Sequence, residues 1–138
     1  MNKVRLYRVL AFVLFAVLSI GMLAGCAAKL PEGYDEAELK TSAEQVIDLL
    51  NQRDSDGLTA MMTEEMKVGL TKDVQAQIFT LLDESGSMQE ITDMRVGSSE
   101  ENGVTFAFVV AKVKYEKRDI TYTIGFDLDY NLAGLYLK

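Results

Sequence analysis

From Ile120 the chain alternates apolar and polar positions without a break: Ile120, Tyr122, Ile124, Phe126 and Leu128 are separated by Thr121, Thr123, Gly125, Asp127 and Asp129. A period of two puts the first set on one face of a β-strand and the second on the other, so the segment predicts a strand with a single buried face. A strand of this kind needs partners and something apolar to cover it. Partners are at hand. Val104–Tyr115 is rich in β-branched and aromatic residues, 89–96 is a weaker strand of the same type, and Leu132–Leu137 follows the alternating segment. Glu101-Asn102-Gly103, Lys117-Arg118-Asp119 and Asp129-Tyr130-Asn131 separate these runs, each short enough for an antiparallel hairpin.

The cover comes from the first half, where the period changes. Leu39, Ala43, Val46, Ile47 and Leu50 recur at spacings of three and four and predict one helix over 35–51. Asp54 or Ser55 offers an N-cap for a short second helix in which Leu58, Met61, Met62 and Met66 share a face, with Thr63 and Gly69 as breaks. Thr71 opens a third, striped by Val74, Ile78, Leu81 and Leu82, and Gly86 is placed to end it in a left-handed cap. Helices first and a strand meander after define an α+β class: three N-terminal helices on a four-stranded antiparallel sheet. Val46, Ile47, Leu50, Ile78, Phe106, Phe108, Ile124 and Phe126 are its expected core.

A different pattern governs the N-terminus. Lys3, Arg5 and Arg8 precede an unbroken apolar run over 9–18, and the small residues Ala24 and Gly25 lie just before Cys26. This is the layout of a helical signal peptide over 1–25. A span over 9–28, with Ser19 as its only polar side chain, is the competing reading as a transmembrane anchor. Leu23-Ala24-Gly25-Cys26 resembles the lipobox of bacterial lipoproteins. The resemblance implies a diacylglyceryl thioether on Cys26, cleavage before it, and a lipid-anchored product on the extracytoplasmic face of the cell membrane. Two acyl chains suit stable anchoring, which a single chain does not provide. Residues 26–33, with the only proline, Pro31, read as a short tether, and 34–138 as one folded domain.

Composition excludes several function classes. Without Lys3, Arg5 and Arg8 the formal net charge moves from −7 to −10, with acidic residues outnumbering basic ones by 21 to 11. Such a surface repels phosphates, so nucleic acid is not an expected partner. There is no His, and Cys26 is the only Cys. Imidazole-based triads, cysteine-based zinc sites and internal disulfides are therefore absent from the expectation, and no metal or cofactor is expected.

The order of elements, together with the strings Val46-Ile47-Asp48-Leu49-Leu50-Asn51-Gln52-Arg53-Asp54, 66–71 and Phe126-Asp127-Leu128-Asp129-Tyr130-Asn131-Leu132-Ala133-Gly134-Leu135, resembles the nuclear transport factor 2-like superfamily. The similarity is to an uncharacterised branch found in lipoproteins of Gram-positive bacteria. It implies a cone-like domain, with a curved sheet wrapped around a long first helix and often an apolar pocket inside. It also implies a Trp late in the third helix, where this chain has Phe79. None of the matching strings is a catalytic motif, and fold alone does not choose a function.

Candidate sites are few. Asp127 to Asn131 copies the start of a calcium loop, but Leu132 stands where Gly is needed and Lys138 where a bidentate Glu is needed, which favours a hairpin turn. Asp54-Ser55-Asp56-Gly57 reads as a helix cap. Lys112, Lys114, Lys117 and Arg118 gather at one hairpin, either protecting a strand end or touching anionic headgroups or wall polymers. Met61, Met62, Phe79 and Tyr122 are the expected lining of a pocket for a small apolar ligand, with core packing as the competing role. The expected function is thus a membrane-anchored lipoprotein that binds a small apolar ligand or a protein partner. The alternative is a small hydrolase or isomerase in which a carboxylate works with a tyrosine; no catalytic residue is assigned.

Overall fold

The computed structural model describes residues 30–138; Cys26 and the expected signal peptide lie outside them. Helix α1 (Glu36–Asn51) is followed by α2 (Ser55–Met61), α3 (Glu64–Gly69) and α4 (Lys72–Ser85), then by strands β1 (Met88–Glu101), β2 (Val104–Tyr115), β3 (Asp119–Phe126) and β4 (Leu132–Leu137). The strands form one antiparallel meander in sequence order. Among the described residues no helix is long and apolar enough to cross a membrane.

Local chemistry sets most boundaries. The side chains of Asp35, Asp54, Thr63 and Thr71 each accept the backbone N–H three residues on, capping all four helices. Among the described residues four helices stand where three were expected, because Met62 leaves the helical region (φ −77°, ψ 145°) to form a parallel bridge with Leu132 of β4. The Thr63 N–H donates to the Leu132 carbonyl at 3.0 Å. A tertiary contact splits the second helix at the break that Thr63 marked. Gly86 ends α4 with φ 82° and ψ −164°, a positive φ as expected but outside the left-handed helical region, in territory open almost only to glycine.

Helix α1 packs on β1, β2, α2 and α4, and all five of its stripe residues are fully buried. The face of the sheet beneath it carries Ala107, Val109, Ala111, Val113, Ile120, Tyr122, Ile124 and Phe126. Phe106 and Phe108 are corrected by this arrangement. They occupy the opposite face of β2 and are only half-buried, and Phe108 lies over Gly97, where a Cβ would stand 2.6 Å from its ring. Pairing decides the parity: Ala107 sits beside Phe126 and Ala111 beside Tyr122, so small residues face inward next to the large rings of β3. Leu128 likewise falls beyond the end of β3, in the β3–β4 turn, and is exposed.

Helix α4 is rotated from its expected stripe. Val74 is exposed, Ile78 is half-buried, and the buried residues are Gln75, Leu82 and Ser85. Gln75 has a reason to be inside. Its Nε2 donates to the Leu70 carbonyl at 3.0 Å and its Oε1 accepts from the Ser55 hydroxyl at 2.6 Å, joining the starts of α2 and α4 through a satisfied polar group.

Candidate functional site

The two long helices end side by side, and the sheet begins next to them. Beyond the end of α1, Arg53 takes a positive φ of 59°, which turns its side chain back over the helix. Its Nη1 donates to the carbonyls of Leu50 and Asn51 at 2.9 and 2.8 Å, groups with no partner inside the helix. Nε donates to Asp83 of α4 at 3.1 Å and Nη2 pairs with the same carboxylate, while the guanidinium stacks 5.9 Å from the Phe79 ring centroid. From the other side, Glu116 accepts the Ser87 N–H at 3.0 Å, and its own N–H donates to the Ser87 carbonyl. The Lys117 N–H bonds the Ser85 carbonyl, which ties the β2–β3 turn to the end of α4.

These parts enclose a cleft of about 430 Å³, lined by Asn51, Arg53, Asp83, Ser87, Met88 and Glu116. Its charges are mixed. Asp83 pairs with Arg53, Glu116 adds a second carboxylate, and Lys117 stands exposed on the adjoining turn, while the carbonyls at the ends of α1 and α4 are taken up by Arg53, Gly86 and Lys117.

Close to Asn51 and Arg53, inside the core, the hydroxyls of Tyr115 and Tyr122 share a hydrogen bond. Burial, and then the neighbouring Tyr115 hydroxyl, drive the Tyr122 pKa far above the usual phenol value; Asn51 and the Arg53 charge oppose the shift without reversing it. Because the folded state holds this proton more tightly than the unfolded chain, the stability it confers is complete below about pH 10. It falls as pH rises further, by up to about 1.4 kcal/mol per pH unit. Tyr122→Phe is expected to cost about 1 to 3 kcal/mol by stranding the Tyr115 hydroxyl. Replacing both tyrosines by Phe should cost less than that single change and, like it, remove Tyr122's share of the alkaline loss. Urea denaturation between pH 8 and 11 measures both effects, and a single variant as stable as the wild type would refute the pairing.

The structure separates the four residues expected to line an apolar pocket. Met62 and Tyr122 are buried in the core, Met61 is half-buried against it, and Phe79 lies half-buried under Arg53. None of them lines the cleft described above. Tyr122 faces a tyrosine where the enzyme alternative needs a carboxylate. In the β3–β4 turn, Asp127 accepts the N–H groups of Asp129 and Asn131 at 3.0 and 2.8 Å and the Asn131 amide at 3.0 Å, the pattern of an Asx turn. Among the described residues no group of three or more acidic, His or Cys side chains is placed to hold a metal ion. The cleft itself went unforeseen in the sequence. Its residues come from three separate stretches, and its one local signal is the Arg53 that follows a helix lacking a basic last turn.

Comparison with curated proteins finds no match. Among solved structures, the chain is similar to an NMR structure of a protein from Ruminococcus gnavus ATCC 29149, with a TM-score of 0.70 and 22% identity over 78% of this chain and 95% of that one. At that identity the likeness carries the fold alone. Residues 43–135, more than half of the chain, match the family model described as "Protein of unknown function (DUF3887)", and the chain belongs to that family.

Proposed function

We propose that this chain is an extracytoplasmic lipoprotein, anchored through Cys26, whose domain is a binding module of the nuclear transport factor 2-like kind and recognises a protein partner at the polar cleft. The observation that carries this reading is the division of labour between core and cleft. The residues best suited to an apolar pocket, Met62 and Tyr122, are consumed by packing and by the Tyr115 hydroxyl. The polar concavity at the helix ends remains open. With Arg53, Asp83 and Glu116 in its lining and Lys117 beside it, that concavity favours a partner that presents polar and charged side chains over an apolar one.

The reading is tested in cells with a photo-crosslinking residue in place of Lys117, which is exposed on the turn beside the cleft. We expect a discrete protein adduct in the membrane fraction. It should be lost when Ser87, exposed at the cleft, is also changed to Arg, and should be absent when the crosslinker replaces Glu44 on the exposed side of α1. Cys26→Ala should move the protein out of the membrane fraction. A protein that stays anchored without Cys26, or an adduct indifferent to Ser87→Arg, would overturn the proposal.

A further inference from the structure

The point where the chain enters the domain and the cleft occupy opposite ends of the molecule. At the entry end, the Tyr34 hydroxyl donates to the Phe126 carbonyl at 3.0 Å, the Asp35 N–H donates to the Tyr130 hydroxyl at 2.8 Å, and the Tyr34 and Tyr130 rings meet edge to face. Gly33 lies against Leu128 of the same turn. The N-terminal segment is therefore fastened to the last residue of β3 and the β3–β4 turn. At the other end, Asn51 closes α1 and Glu116 precedes the start of β3. Two internal rulers give the separation. The 16 residues of α1 rise about 24 Å, and the eight of β3 extend about 26 Å.

The free leash is shorter than either ruler. Leu30 already packs against the core, so only four residue steps separate Cys26 from the domain, at most about 13 to 14 Å of chain. For the cleft to face the membrane, the entry end would have to stand about 25 Å above it. The leash does not reach that far. We infer that, in the lipid-anchored protein, the cleft is held away from the anchoring membrane and takes its partner from the aqueous, outward side, so that a lipid of that membrane is not its ligand. The inference rests on Cys26 being the anchor and otherwise on geometry alone.

The same geometry places the other surface features. The basic hairpin of Lys112, Lys114, Lys117 and Arg118 stands at the outward end, where Lys112 pairs with Asp119 at 3.4 Å and Lys114 lies opposite Glu90 in the sheet. That position separates it from the headgroups of its own membrane. A shallower groove between Glu38, Thr41, Ser42 and Tyr130 lies toward the entry end, within reach of the membrane surface.

The test uses the full lipidated protein in phospholipid vesicles that contain a headgroup spin-labelled lipid. The Cys26 thiol is consumed in the thioether, so Asp129→Cys and Arg118→Cys each provide one free thiol for a fluorophore, the first at the entry end and the second at the outward end. We expect quenching at 129 to exceed that at 118 severalfold. Inserting about twelve Gly and Ser residues between Ala28 and Lys29 should let the domain turn over and bring the two values within twofold. Equal or reversed quenching with the native leash would overturn the orientation, as would a difference that survives the insertion, since the leash would then not be its cause. Protein that fails to sediment with the vesicles would show instead that the anchor reading is wrong, and the inference would fall with it.

Discussion

Met62→Lys is expected to unfold the domain. Met62 is 4% exposed, sits between α2 and α3, and bridges to Leu132 on the edge strand, so a lysine there would carry its ammonium into the junction of helices and sheet. An unpaired charge in such a place costs several kcal/mol, comparable with the whole stability of a domain whose total lies at about 5 to 15 kcal/mol. Met62→Leu, which conserves volume, should cost less than about 1.5 kcal/mol. Circular dichroism and urea denaturation of the two variants decide the matter. A Met62→Lys domain that folds with wild-type stability would mean that the side chain opens onto a cavity, and would return Met62 to the binding role its sequence suggests.

Phe126→Ala should cost about 3 to 5 kcal/mol. The ring is fully buried beside Ala107 and Leu132, so its truncation leaves a cavity in the core. The loss should spread to the entry end, because the Phe126 carbonyl also holds Tyr34. Phe108→Ala is the informative control. Phe108 belongs to an equally apolar run but lies half-buried on the outer face over Gly97, so its truncation should cost no more than about 1.5 kcal/mol. Thermal denaturation of the two variants under identical conditions measures the contrast, and equal losses would contradict the parity assigned to β2.

That parity marks the boundary between what was legible in the sequence and what was not. Helix α1 could be read directly, because its five stripe residues recur at a spacing that only a helix turns into one face, and all five are buried. Strand β3 could be read in the same way down to Phe126, since its polar positions leave only one face to bury. The caps at Asp54 and Thr71 depend on side chains reaching amides three residues away, an interaction contained within the local chain. These elements were enough to establish the α+β class.

Strand β2 carries no such asymmetry. Phe106, Phe108 and Val110 on one face are as apolar as Ala107, Val109 and Ala111 on the other, so the pattern supports both parities. Tertiary packing chose between them by setting alanines beside the rings of Tyr122 and Phe126, where two large side chains would not fit under α1. The burial of Gln75, the break at Met62 and the Tyr115–Tyr122 pair have the same origin: each satisfies a group supplied by a different part of the chain. The cleft is the extreme case. Asn51, Arg53, Asp83, Ser87 and Glu116 have no periodicity in common, and they form a site only because two helices and a strand turn end at one end of the sheet. Local periodicity determined which elements this sequence makes, because burial of one face needs only the neighbouring residues to agree. Which faces meet, and what lies where the elements end, required the whole chain, because complementary size and hydrogen bonding are properties of pairs that are distant in sequence.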